Sequence, residues 1–185
     1  MKKSTIAIIA VVVILLFMLI GGYNSIISEQ TAVEEQTANI NTQLQRRSDL
    51  IPNLVNTVKG YAAHETAVFE AVTKARENML AAGSMEEKAA ANEEMTSALG
   101  RLLAIAESYP DLKSDSLYVQ LMDELSGTEN RIAYAREEYN AAVSTYNKSI
   151  RTFPGSLYAG MFGFEKADFF EAAAGAEQVP EVDLS

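Results

Sequence analysis

A single histidine, His64, is followed by Glu65. That pair would open a zinc-protease helix motif, but the motif needs a second His four residues on, and Val68 stands there. A di-iron bundle needs two Glu-x-x-His pairs, which one His cannot supply. There is no Cys, so thiol nucleophiles, thiolate metal sites and disulfides are excluded. No glycine-rich phosphate loop ends in Lys-Ser or Lys-Thr. The residues therefore point to no catalytic, cofactor or metal site, and His64 reads as an exposed residue at a helix edge.

The remaining chemistry is charge set against apolar stripes. Arg47 falls seven residues after Ile40 and four before Ile51, Glu65 and Arg76 project onto an apolar face, and Arg136 lies between Ile132 and Tyr139. A buried ion needs a partner, because an unpaired one costs several kcal/mol. Either these side chains snorkel their heads into water, or some form buried pairs. Glu65 with Arg136 is the pair expected, with levels about 7 Å apart at roughly 1.5 Å of rise per residue.

The elements that would position these residues are helices. The net charge is −10, and with Lys and Arg so few and unclustered nucleic acid is excluded as a partner. Ile6 to Ile20 is an unbroken apolar run, extended by uncharged residues to Ser28. Thr5 to Tyr23 meets the roughly 20 residues a bilayer crossing needs, with Tyr23 as an interfacial aromatic. Ile6, Ile20 and Tyr23 thus mark a membrane anchor. A cleaved signal peptide is the competing reading, but no Ala-x-Ala site follows the run. Lys2 and Lys3 precede the anchor, whereas Glu29, Glu34 and Glu35 follow it. That bias places the domain on the non-cytoplasmic side of a single-pass cell-membrane protein.

Beyond the anchor, apolar residues recur every three or four positions, the helical period. The pattern predicts four helices. The first ends near Arg47, with a turn at Ser48. The second spans Leu50 to Ala82, with Pro52 in its first turn. The third starts from a capping box at Ser84 to Glu87 and stops at Tyr109-Pro110. The fourth runs from Asp115 to Phe153, with Gly127 as a possible kink, and ends at Pro154. Short connections favour an all-α, antiparallel up-down four-helix bundle. The expected domains are a cytoplasmic tip and anchor over residues 1–23, the bundle over 24–153, an aromatic glycine-containing segment over 154–170, and a disordered acidic tail over 171–185. Phe153, Tyr158, Phe162, Phe164, Phe169 and Phe170 crowd the end of the chain. They form either a cap on the bundle or a contact for lipid or a partner.

Three blocks of residues resemble the LemA family. The segment Asn41 to Glu65, NTQLQRRSDLIPNLVNTVKGYAAHE, is similar to its signature stretch. Tyr109 to Lys113, YPDLK, is similar to a second block. Glu129 to Asn140, ENRIAYAREEYN, with Tyr146-Asn147 and Phe153-Pro154, resembles a third. The resemblance implies a bacterial membrane protein with one transmembrane helix and a four-helix bundle, and no enzyme. It carries no catalytic residue over. Parts of the family are associated with organising internal membranes. The family is often described with its short N-terminus outside the cell, against the Lys2/Lys3 bias.

Two functional expectations follow. The first is a self-associating scaffold of the envelope: residues 24 to 47 carry a thin apolar stripe and many Gln, Asn and Thr, so neighbouring first helices would pair as a coiled coil into a homo-oligomer at the lipid bilayer. The alternative is an adaptor whose bundle binds another envelope protein, a protease or a signalling component.

Overall fold

A computed structural model of the protein describes residues 3–171. The tail expected to be disordered lies, after Glu171, outside the described residues. Among those residues the chain is helical with no strand. The elements are α1 (Lys3–Lys59), α2 (Thr66–Ala81), α3 (Met85–Ala106), a single turn α4 (Pro110–Lys113), α5 (Ser116–Arg151) and α6 (Gly155–Phe162). An extended stretch follows from Phe164.

The first turn is not where the sequence puts it. Ser48, Asp49 and Pro52 look like a helix start, yet α1 passes through all three and ends only at Lys59. Proline inside a helix removes the N–H that would bond the carbonyl four residues back, here that of Ser48. Arg76 on α2 takes over: its Nε donates to the Ser48 carbonyl oxygen at 3.0 Å. With the orphaned acceptor satisfied, no break is required. The turn comes instead at residues 60–65, where the amides of Tyr61 and Ala62 fold back onto the Val58 carbonyl oxygen.

Other boundaries fall where local chemistry sets them. Ser84 accepts from the Glu87 amide while the Glu87 carboxylate accepts from the Ser84 amide, completing the capping box that starts α3. Asp115 caps α5 by accepting from the amides of Leu117 and Tyr118. Gly127 leaves α5 unbroken.

The chain forms two compact units. Within the described residues, the larger is built from residues 39–137 and 169–171, and the smaller from 3–38 and 138–168. In the larger unit α2 and α3 pack as a hairpin, tied by Asn78 to Glu94 at 2.8 Å. Its part of α1 runs antiparallel to its part of α5. Tyr61 meets Asp115 and Arg47 meets Glu129, so the same number of residues separates the two contacts on each strand of chain. The buried face is the one its apolar periodicity marks: Ile51, Leu54 and Val58 from α1, Phe69 and Val72 from α2, Met95 and Leu102 from α3, Leu121 and Leu125 from α5. Each such side chain contributes about 1.5–3 kcal/mol on burial, and this places the unit's stability in the helix faces rather than in its polar contacts.

In the smaller unit the apolar run of α1 from Ile6 to Ile20 is exposed to a degree no water-facing helix of this composition would sustain, Phe17 reaching 73%. It is long and apolar enough to cross a membrane. Below it Ile26 and Val33 are buried.

Candidate functional site

The smaller unit gathers most of the aromatic segment against α1. Tyr158 is buried on α6, and its hydroxyl donates to the Met18 carbonyl oxygen at 3.2 Å. The ring lies on Gly22, where any Cβ would overlap it. A glycine at that place is what lets α6 approach the α1 backbone. Tyr23 packs edge-on against Phe162, with centroids 4.8 Å apart, and against Phe164 at 5.7 Å. Gly163, at φ 74°, ends α6 in the left-handed conformation.

After Gly163 the chain runs extended along α5, and α5 recognises its backbone. Tyr146 donates to the Glu165 carbonyl oxygen at 2.9 Å and Tyr139 to that of Asp168 at 2.7 Å. Asn147 grips Ala167 from both sides, donating to its carbonyl at 2.8 Å and accepting from its amide at 2.9 Å. Burial pushes the Tyr139 and Tyr146 hydroxyls above the usual tyrosine range, with Asp168 and Glu165 adding to it. Both therefore stay protonated and act as donors. An extended segment has no internal partners for its amides and carbonyls, and these three side chains supply partners for four of those groups.

In the larger unit the buried charge is Arg47, only 3% exposed. Its Nη1 lies 2.7 Å from Asn92 Oδ1 and 2.7 Å from Glu129 Oε2, and its Nη2 donates to Thr96 Oγ1 at 3.1 Å. One guanidinium thus joins α1, α3 and α5. Burial lowers its pKa and the Glu129 carboxylate works against that. The arrangement holds charge in place; it offers no nucleophile and no base beside one.

The ion pair expected between Glu65 and Arg136 does not form. Glu65 is half-buried at the N-terminus of α2, and Arg136 is exposed on α5. The relocated turn is the reason. Glu65 stands beside the loop where Tyr61 meets Asp115, and Arg136 lies 21 residues along the chain from Asp115, about 30 Å by helical rise. His64 is exposed in the same loop. Among the described residues no group of three or more His, Asp or Glu is placed to hold a metal ion. A mixed-charge cleft opens beside that loop, lined by Lys59, Thr66, Phe69, Glu70, Thr73 and Lys74, with the Lys59 ammonium 5.2 Å above the Phe69 ring.

The aromatic residues do not act together. Tyr158 and Phe170 are buried, Phe164 and Phe169 half-buried, Phe153 and Phe162 exposed. The residues that sequence reasoning missed are Asn92, Thr96 and Glu129 around Arg47, and Asn147 on the extended stretch. Asn147 carried a signal, a polar residue on the buried face of α5 between Val143 and Ile150.

The sequence profile of the LemA family matches residues 36–184. The chain is 30% identical to magnetosome protein MamQ 2 of Paramagnetospirillum magneticum, across 92% of this chain and 71% of that protein. Magnetosome protein MamQ of Magnetospirillum gryphiswaldense is 29% identical, over 80% of this chain and 64% of its own length. Protein LemA of Metamycoplasma hominis is 24% identical, over 91% and 75%.

Proposed function

The chain belongs to the LemA family, and on that premise we propose that it is a non-catalytic, membrane-anchored scaffold of the bacterial envelope that self-associates through its first helix. The observation that carries this reading is the continuity of α1. One helix contains the exposed apolar run and also supplies a wall of the larger unit. Copies held in one membrane would share the orientation of this helix, so weak contacts along it would be multiplied by confinement.

The thin stripe of α1 is used within the chain: Ile26, Val33, Ile40 and Leu44 are all buried. What remains outward is mostly polar. Asn24, Ser28, Thr31 and Glu35 are exposed at alternating spacings of four and three residues, the spacing of a coiled-coil seam. We assign the seam to a homo-oligomer and the larger unit to an up-down four-helix bundle formed by α1, α2, α3 and α5. The Lys2/Lys3 bias supports a non-cytoplasmic bundle.

Single cysteines test the assembly cleanly because the chain has none. Ser28→Cys and Thr31→Cys should give disulfide dimers in native membranes, and a cysteine at exposed Thr145 on α5 should not. Dimers at none of the seam positions, with dimers through Phe17→Cys in the anchor, would overturn first-helix assembly.

The adaptor reading is favoured by one feature, the cleft beside Lys59 and Phe69. Loss of a co-purifying envelope protein on Phe69→Ala, with an unchanged dimer yield, would support it.

A further inference from the structure

The exposed apolar surface of the chain does not end with the anchor. Phe153 is 81% exposed, Leu157 56% and Met161 66%. Leu157 and Met161 are spaced by four residues and so lie on one side of α6, and Phe153 is exposed just before the helix begins. From Thr152 to Phe164 there is no charged residue, while Arg151 stands before this stretch and Glu165-Lys166 after it. Isolated exposed apolar residues are ordinary, but a contiguous patch marks an interaction surface.

The other side of α6 fixes its position. Tyr158 bonds the Met18 carbonyl and lies on Gly22, and Phe162 and Phe164 meet Tyr23. The patch therefore sits beside the end of the exposed apolar run of α1. Met18 is five residues before Tyr23, about 7 Å along the helix axis. Interfacial helices bury their apolar face about 5–10 Å into the boundary between headgroups and acyl chains. The last turn of α5 adds exposed Lys148 and Arg151, the residue types that favour an anionic membrane surface.

We propose that α6 is a second membrane element, an interfacial helix whose Leu157–Met161 face takes phospholipid acyl chains beside the transmembrane part of α1. Continuity with the anchor selects lipid over a protein partner: a bilayer that receives Ile6 to Ile20 reaches the level of Met18, and so reaches α6. The inference rests on the anchored reading above.

The chain contains no Trp, so an introduced one reports alone. Leu157→Trp, Met161→Trp, Phe17→Trp as the anchor control and Tyr134→Trp as an exposed aromatic control would each be made in the full chain. Each would be reconstituted into vesicles of phosphatidylcholine and phosphatidylglycerol, with and without bromine on the acyl chains. Both α6 variants should lose fluorescence in brominated vesicles, more with bromine near the glycerol end than near the methyl end, and far more than Tyr134→Trp. Quenching of Phe17→Trp with none for the α6 variants overturns the interfacial helix and leaves the anchor standing. Quenching of neither overturns both. A blue-shifted but unquenched emission at Leu157→Trp places the face against a second copy, which also overturns it. Two independent reporter sites guard against one that perturbs folding.

Discussion

Arg76 on α2 donates its Nε to the carbonyl oxygen of Ser48 on α1 at 3.0 Å, the acceptor that Pro52 leaves without a helical donor. The two features depend on each other. Pro52 is tolerable because Arg76 is there, and Arg76 has an acceptor because of Pro52.

Arg76→Ala should therefore cost about 1–3 kcal/mol, the penalty of an unsatisfied buried acceptor. Pro52→Ala restores the N–H, so Arg76→Ala should cost much less in that background. Chemical denaturation of the four proteins in detergent gives the coupling directly. Equal losses in both backgrounds would show that the bond contributes nothing.

Removal of Arg47 and removal of Glu129 should not be equivalent. Arg47 is 3% exposed while the Glu129 side chain is 48% exposed. Arg47→Met removes the buried charge itself and leaves Glu129 and Thr96 exposed and Asn92 half-buried, so about 1–2 kcal/mol is expected. Glu129→Gln leaves the guanidinium buried without its carboxylate, so about 3–5 kcal/mol is expected, as when one partner of a buried pair is removed. Thermal unfolding followed by circular dichroism would rank them, and the reverse order would contradict the role given to Arg47.

Acid should weaken the helix starts. Amides of Ser84 and Gly83 hold the Glu87 carboxyl below its usual range. The Tyr61 hydroxyl, then the amides of Tyr118 and Leu117, do the same for Asp115. A carboxylate with a lowered folded pKa contributes stability above its unfolded value of about 4, lost as pH falls through the folded one. Melting midpoints should thus drop as pH falls from about 5 toward 3. Glu87→Gln and Asp115→Asn should flatten that drop, and an unchanged slope in the double variant would count against these caps.

The extended stretch offers a cleavage site at Lys166, which is exposed. Asn147→Ala removes both bonds to Ala167. If local opening becomes easier by about 1–3 kcal/mol, trypsin should cut there roughly ten- to a hundredfold faster. Tyr134→Phe, a hydroxyl change on an exposed residue, should not alter the rate.

What the sequence by itself determined is what neighbours along the chain control. The apolar run of the anchor, the capping box at Ser84, the stop at Tyr109-Pro110, the start at Asp115 and the buried stripes all depend on periodicity or on residues within four positions. Tertiary structure decided everything that required a distant partner. Ser48, Asp49 and Pro52 carry a valid local signal for a helix start, and Arg76, 28 residues away, overrides it. That shift removes Glu65 from the reach of Arg136, because each residue moved along a helix displaces a side chain by about 1.5 Å. Arg47 could be seen to need a partner, but Glu129 could not be picked from the other carboxylates without the fold. The grip of Tyr139, Tyr146 and Asn147 on the extended stretch left the least trace, because those side chains bind backbone atoms, and every residue supplies the same ones.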